Sequence, residues 1–129
     1  MPGEIVHFDI VADDVGKSME FYKYVMGWEM ERFPGTEAGD MEYWMVKPKG
    51  DDPSAVGGGI GKKQMPEQTN MNYYDAEGGL EAFNQRVKDK GGKVMMEKMP
   101  VPDMGWFSAC MDPEGNPFGG WVEDRDAKM

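Results

Sequence analysis

Hydrophobic and polar residues alternate at the start of the chain, where the segment IVHFDI has the period of two that is typical of a half-buried strand. The period then changes to helical spacing after Asp13 and Asp14, either of which suits a helix N-cap. Gly27 is placed to end this helix in a left-handed turn. The pattern therefore predicts a strand followed by one amphipathic helix.

Period-two alternation returns after Gly27 in three successive segments, WEMERF, MEYWMV and AVGGGIG. Stretches rich in glycine, proline and aspartate separate these segments and predict turns between them. The first half of the chain therefore predicts the order β-α-β-β-β.

The second half of the chain repeats this order. TNMNYYD predicts a strand, apolar residues follow at helical spacing from Leu80 to Val87, and Gly91 and Gly92 end that helix. Three further strands are predicted, with the sequences KVMMEK, WFSACM and FGGWVE.

The two halves also agree in spacing, since His7 precedes Gly27 by about as many residues as Asn72 precedes Gly91. Such a match of pattern indicates a duplicated unit that cannot bury its sheet face alone. We predict a single domain over residues 1–129, with one unit over residues 4–64 and a second over residues 65–124.

Composition restricts the function classes. The chain has 24 acidic and 14 basic residues, for a formal net charge of -10, which disfavours nucleic acid and anionic membranes as partners. Cys110 is the only cysteine, which excludes an intramolecular disulfide and fits a reducing compartment. The sequence has neither a secretory leader pattern nor an apolar run of about 20 residues. We therefore expect a soluble, cytoplasmic protein.

The segment HFDIVADDVGKSMEFYKYVMGW resembles the opening of the vicinal oxygen chelate superfamily, which contains glyoxalases, bleomycin-resistance proteins and extradiol dioxygenases. The segment DPEGNPFGGWVE resembles the last hairpin of that superfamily, and the resemblance covers nearly the whole chain. It implies an α+β fold in which two tandem βαβββ units form a curved, cup-shaped mixed sheet with helices on its outer face. The residues between these segments resemble a glyoxalase-like or bleomycin-resistance-like subgroup of unassigned substrate.

In the metalloenzymes of this superfamily, the metal ligands come from the first and last strands of each unit. The resemblance places those positions at His7, Gly58, Asn72 and Gly119. Glycine has no side chain, and a neutral amide is a weak ligand for zinc or iron. We therefore predict no cofactor; the alternative is a divalent metal such as zinc, nickel, iron or manganese.

Three interpretations of His7 remain open. It is a structural histidine satisfied by a neighbouring group, a metal ligand, or a hydrogen-bonding or acid/base group that faces a metal-free pocket. We favour the third, because the position of His7 matches the superfamily while its companion positions lack metal ligands. Asp9 lies about 6.6 Å further along the same strand and is better placed to contact a ligand than a metal.

Counting in twos along the strands predicts the residues that line the pocket. The glycines among them either widen the cup for a ligand or allow close packing on the other face of the sheet. Either Tyr43 or Trp44 faces the pocket, and the sequence leaves this choice open. The predicted ligand-binding residues are His7, Asp9, Gly58, Asn72, Tyr74, Gly119, Trp121 and Glu123, with Val56, Ile60 and Asn70 beside them.

The sequence therefore predicts a glyoxalase-like or bleomycin-resistance-like protein that binds a small organic molecule and has a degenerate metal site. The acidic lining favours a neutral or cationic ligand. The alternative function is a metal-dependent lyase or isomerase resembling glyoxalase I, or a dioxygenase, so enzymatic activity stays undecided. Because small open cups expose sheet edges and apolar surface, we also expect a homodimer.

Overall fold

The computed structural model describes residues 3–33, 42–48, 52, 55–66 and 68–127. They form two compact units, one over His7–Asn70 and the other from Met71 onward together with the residues before His7. The predicted α+β class is confirmed, because the order β-α-β-β-β occurs twice along the chain. The limits 4–64 and 65–124 remain a prediction.

The first unit contains one helix and a mixed sheet. Strands β2, β3 and β4 are antiparallel neighbours, whereas β4 and β1 are parallel, which gives the order β2-β3-β4-β1. The elements are β1 Ile5–Ala12, α1 Val15–Met26, β2 Glu29–Arg32, β3 Tyr43–Lys47 and β4 Gly58–Lys62.

Helix α1 begins and ends where the sequence predicts. The Asp14 side chain accepts a 3.0 Å hydrogen bond from the backbone N–H of Lys17, so Asp14 rather than Asp13 is the N-cap. Gly27 has a φ of 69° and donates its N–H to the Lys23 carbonyl. This left-handed conformation favours glycine and turns the chain into β2.

The core of the first unit lies between α1 and one face of its sheet. Ile60 and Val46 from the sheet and Val15 from the helix are buried there. The Trp28 ring lies 5.5 Å from the Phe8 ring and stacks at 5.0 Å on Tyr22. The opposite face of this sheet is not covered by α1, and we call it the helix-free face of the first unit.

The second unit has the same construction. Its sheet has the order β5-β8-β7-β6, with β5 and β8 parallel and the other neighbours antiparallel. Its helix packs against β6, β7 and β8. The elements are β5 Met71–Asp75, α2 Leu80–Asp89, β6 Lys93–Val101, β7 Gly105–Met111 and β8 Pro117–Glu123.

Small and polar residues bring α2 close to its sheet. The amide of Asn84 donates a 2.9 Å hydrogen bond to the Glu97 carbonyl, and the buried Ser108 hydroxyl accepts one from the Gly120 N–H. Cys110 is buried in the same layer. Strand β6 extends beyond the predicted KVMMEK segment, since its pairing with β7 continues to Val101. The pairing is irregular between Val94 and Met99.

Candidate functional site

Three polar side chains meet on the helix-free face of the first unit. The Tyr43 hydroxyl donates a 2.5 Å hydrogen bond to Asp9 Oδ1, and His7 Nε2 lies 2.9 Å from the Tyr43 hydroxyl and 3.2 Å from the same Asp9 oxygen. We call these three residues the His7 cluster. The side chains of His7 and Asp9 are 26% and 22% exposed, so a ligand can reach them.

Glycine allows the cluster to form across a strand. His7 and Asp9 lie on β1 and Tyr43 lies on β3, so β4 runs between them. A Cβ at Gly59 would overlap the Tyr43 hydroxyl and ring, and one at Gly61 would lie 3.0 Å from Tyr43 Cδ1. The Tyr43 ring therefore crosses β4 over bare backbone, which is how its hydroxyl reaches β1.

The arrangement of donors and acceptors defines what the cluster can do. Because the Tyr43 proton points to Asp9, an unprotonated His7 Nε2 would face two oxygen lone pairs, so a proton on Nε2 is favoured. The imidazole, phenol and carboxylate are then joined by hydrogen bonds on a partly exposed surface. Such a group can bind a ligand hydroxyl or carbonyl and can exchange a proton with it.

The residues at the superfamily's metal positions do not fit a divalent metal. Among the residues described by the structure, no group of three His, Cys, Asp or Glu side chains could hold an ion. The Phe8 ring lies against Gly58 and the Tyr73 ring lies against Gly119, so neither position has space for a ligating side chain. The contacts of His7 with Asp9 and Tyr43 fit both a structural histidine and a group that faces a ligand, so the binding role of His7 stays a prediction.

The predicted face of Gly58 is wrong. Gly58 pairs with Phe8, and Ile60 pairs with Ile10, so both lie on the face covered by α1. Since side chains alternate along a strand, it is Gly59 that shares the face of His7 and Asp9.

The choice between Tyr43 and Trp44 is also resolved. Trp44 pairs with the buried Ile60 and packs against the core, whereas Tyr43 lies on the helix-free face. Val56 precedes β4 and is exposed. The Asn70 side chain accepts a 3.1 Å hydrogen bond from the Val11 N–H.

Two predicted positions on β5 are wrong in the same way. Asn72 pairs with Phe118, and Tyr74 pairs with Gly120, which is covered by the Phe83 ring of α2. Asn72 and Tyr74 therefore lie on the helix-covered face of the second unit. Because Asn72 and Tyr74 were predicted to face the pocket, the alternation assigned Tyr73 to the core side. In the structure Tyr73 lies on the helix-free face instead.

The helix-free face of the second unit contains the other predicted residues. Gly119 pairs with Tyr73, Trp121 pairs with Phe107, and Glu123 pairs with Gly105. Gly119, Trp121 and Glu123 therefore share one face, as the sequence predicts, and their role in binding stays a prediction.

Sequence reasoning missed most of an apolar surface on this face. The Tyr73 and Phe107 rings meet edge to face with centroids 5.8 Å apart, and the exposed Met99 pairs with Phe107. Met96 is also exposed and pairs with Ala109 on the same face. The alternation of WFSACM, with small Ser108 and Cys110 toward α2, could have indicated Phe107. We call this surface the aromatic wall; it consists of Tyr73, Phe107, Trp121, Met96 and Met99.

The described clefts do not coincide with the His7 cluster. One of about 530 Å³ lies in the first unit beside β2, and one of about 360 Å³ lies in the second unit. We therefore identify the His7 cluster as the candidate site from its hydrogen-bonded polar side chains and not from the volume of a cleft. The larger cleft is lined by Lys23, Trp28, Glu29, Met30, Glu31 and Lys47.

Solved structures share the fold of this chain. Methylmalonyl-CoA epimerase from Mycobacterium tuberculosis aligns with a TM-score of 0.68 over 94% of this chain and 88% of that chain, at 10% identity. A glyoxalase/bleomycin resistance protein/dioxygenase superfamily member from Vibrio splendidus 12B01 aligns with a TM-score of 0.60 over 88% and 94%, at 16% identity. At these identities the likeness shows the fold alone.

Sequence comparison finds a family model that matches the first part of the chain. The profile of the bleomycin resistance protein-like N-terminal family matches residues 4–46. The chain is thus similar over this range to bleomycin resistance protein-like proteins. The matched range contains all three residues of the His7 cluster.

Two curated relatives are similar to this chain over most of its length. The anthracycline biosynthesis protein DauV of Streptomyces sp. strain C5 is 28% identical over 129 residues, covering 93% of this chain and 47% of DauV. The putative glyoxylase CFP32 of Mycobacterium bovis is 28% identical over 120 residues, covering 91% of this chain and 44% of CFP32. The chain thus spans about half the length of the curated relatives it matches. Within its described part, no helix is both long and apolar enough to cross a membrane.

Proposed function

We propose that this chain is a glyoxalase-like or bleomycin-resistance-like protein that binds a small organic molecule on the helix-free face of its first unit, at a site whose metal positions have degenerated. The observation that carries the proposal is the His7 cluster, in which His7, Asp9 and Tyr43 form a hydrogen-bonded, partly exposed group on a face that α1 does not cover. Polar groups of this kind orient a ligand within an otherwise apolar surface.

The aromatic wall of the second unit is a separate candidate surface, and its side chains favour an aromatic ligand. Tyr73, Phe107 and Trp121 provide ring surface for stacking, and the exposed Met96 and Met99 provide polarizable contacts that adapt to ligand shape. We include Gly119 and Glu123 in the proposed surface, because both lie on this face.

Charge supports a neutral or cationic ligand. Asp9 belongs to the His7 cluster, Glu123 lies on the aromatic wall's face, and the chain as a whole is strongly acidic. A carboxylate or phosphate group would be repelled by these charges. We omit Gly58, Asn72 and Tyr74 from the binding surface, because their strand pairing assigns them to the helix-covered faces.

Calorimetric titration with two probes tests the proposal. Two relatives are named anthracycline biosynthesis proteins, which supports an anthracycline such as daunorubicin, a planar aromatic ring system that carries a cationic amino sugar, as the first probe. One structural neighbour was solved in complex with methylmalonyl-CoA, which serves as the anionic comparison. We expect the anthracycline to bind and methylmalonyl-CoA to bind more weakly or not at all. The reverse order would overturn the proposed ligand class.

Variants of the His7 cluster test the site. His7→Ala and Tyr43→Phe each remove a hydrogen bond and should weaken ligand binding about twofold to tenfold. Tyr24→Phe is the matched control, because Tyr24 is 92% exposed on α1 and remote in sequence from the cluster. Unchanged affinity in both cluster variants would exclude the cluster from the site.

The alternative function, a metal-dependent lyase or isomerase or a dioxygenase, is tested by elemental analysis. We expect protein from metal-supplemented growth to contain no stoichiometric zinc, nickel, iron or manganese, because the metal positions lack ligating side chains. Nearly one equivalent of metal that is lost in His7→Ala would overturn the proposal in favour of the enzyme.

We also propose that the protein works as a homodimer in the cytoplasm. Helix α1 exposes Phe21, Tyr24, Val25 and Met26, and a contiguous exposed apolar surface commonly marks an interface. The buried single cysteine is consistent with a reducing compartment. Sedimentation should give a dimer at tens of micromolar, and Val25→Lys should shift it toward monomer. A monomer for the unmodified chain would contradict the proposal.

A further inference from the structure

A second cleft lies on the helix-covered side of the second unit, outside the site proposed above. Its volume is about 360 Å³, which is within the range of small-ligand sites. Tyr74, Phe83 and Phe118 line it, and Asp112 and Asn116 lie at its rim in the turn between β7 and β8. We call it the aromatic cleft.

The three rings form walls of different orientation. The Phe118 ring meets Phe83 with centroids 6.1 Å apart at 64°, and it meets Tyr74 with centroids 6.3 Å apart at 72°. All three residues are partly exposed rather than buried. The faces of aromatic rings carry negative potential, so ring faces turned toward the cleft would attract a cation held there.

A fixed negative charge lies beside these rings. Asp112 Oδ1 accepts 2.9 Å hydrogen bonds from the N–H groups of Glu114 and Asn116, and Oδ2 accepts a 3.0 Å bond from the Asn116 amide. These bonds hold the carboxylate at the rim of the cleft. The hydrogen bonds from Asn116, foremost, lower the pKa of Asp112, so the carboxylate is ionised at neutral pH.

We propose that the aromatic cleft binds a methylated ammonium group. The rings and the carboxylate together favour a cation and repel an anion. A primary ammonium is strongly hydrated and loses more on leaving water, whereas methyl groups match the apolar rings and spread the positive charge. No part of this proposal depends on the function of the His7 cluster, which lies in the other unit.

The test is an NMR titration with choline and with 3,3-dimethylbutan-1-ol, in which a neutral carbon replaces the ammonium nitrogen at nearly the same shape. We expect choline to bind saturably, to shift the resonances of Tyr74, Phe83 and Phe118, and to bind about twofold to thirtyfold more tightly than the neutral compound. Equal binding of the two compounds, or shifts scattered over the acidic surface, would overturn the proposal.

Two variants and one control localise the binding. Phe83→Leu removes a ring but keeps an apolar side chain, and Asp112→Asn removes the charge but keeps an acceptor for the turn. Glu20→Gln is the control, because it removes one carboxylate from an exposed position of α1 that does not line the cleft. Both cleft variants should weaken choline binding and the control should not. If Phe83→Leu fails to fold, Asp112→Asn decides alone, and unchanged choline affinity there overturns the proposal.

Discussion

The Phe8 ring lies directly on the backbone of Gly58. A Cβ at Gly58 would approach the Cδ1 atom of Phe8 and its carbonyl oxygen to 2.5 Å each. The two residues are also paired across β1 and β4. Glycine at this position therefore brings the parallel strands and the core ring into one closely packed layer.

Gly58→Ala should destabilise the protein by about 1–3 kcal/mol, because the added methyl group meets both a ring and a carbonyl oxygen of the backbone. Gly16→Ala is the matched control in α1, where the nearest atom would be Asp14 Oδ1 at 3.7 Å. Alanine there should be neutral or stabilise by up to about 1 kcal/mol. Urea denaturation measures both; equal effects would contradict the described packing.

Tyr43→Phe should lower the free energy of unfolding by about 0.5–1.5 kcal/mol, because it removes the hydroxyl that bonds Asp9 and His7 while the ring stays over Gly59. Tyr24→Phe, at an exposed position, should leave stability unchanged. Thermal and urea unfolding measure the stability of both variants. Unchanged stability of Tyr43→Phe would argue against a formed His7 cluster in the free protein.

Phe8 and His7 are neighbours in sequence on opposite faces of β1. Their substitutions should therefore differ in how much they lower the free energy of unfolding. Phe8→Ala removes a ring from the core and should cost about 3–5 kcal/mol. His7→Ala removes at most a modest hydrogen bond and should cost about 0.5–1.5 kcal/mol. If His7→Ala were as destabilising as Phe8→Ala while ligand affinity stayed intact, His7 would be a structural histidine.

Cys110 should make stability fall at alkaline pH. Burial raises the pKa of its thiol above the ordinary value of 9.0, against a smaller opposing effect of the Ser108 hydrogen bond. Above pH 9.0 the unfolded chain loses the thiol proton while the folded protein retains it. The contribution of Cys110 to the free energy of unfolding is therefore full below pH 9.0 and declines above it until the folded thiol also ionises. Urea denaturation across this range should show a smaller decline for Cys110→Ala. The native thiol should also react slowly with a disulfide reagent; fast reaction would contradict its burial.

Local sequence predicted the order of elements because the relevant signals are local. Asp14 and Gly27 mark the ends of α1 through capping and a left-handed turn, and both signals operate within a few residues. The position of His7 on an uncovered sheet face also followed from the alternation of its strand. These predictions needed no information about which strands pair.

The faces of Gly58, Asn72 and Tyr74 could not be predicted in this way. Strand register is set by pairing with distant segments, and a shift of one residue moves every side chain to the opposite face. The segment MNYYD has two consecutive tyrosines, so its polarity does not indicate which tyrosine faces the helix. The deciding information is the pairing of Tyr73 with Gly119 and of Tyr74 with Gly120.

The close approach of aromatic rings to sheet glycines recurs on both faces of both units, and it couples positions that are far apart in the sequence. A larger residue at such a glycine is sterically compatible only if the ring above it becomes smaller or turns away. Variation among descendants of this chain should therefore be correlated at these positions, and a library that randomises one member alone should yield few folded proteins. The coupled pairs are Gly59 with Tyr43 and Gly120 with Phe83, because the nearest atoms there belong to side chains, whereas a backbone carbonyl oxygen also blocks a larger residue at Gly58, Gly105 and Gly119.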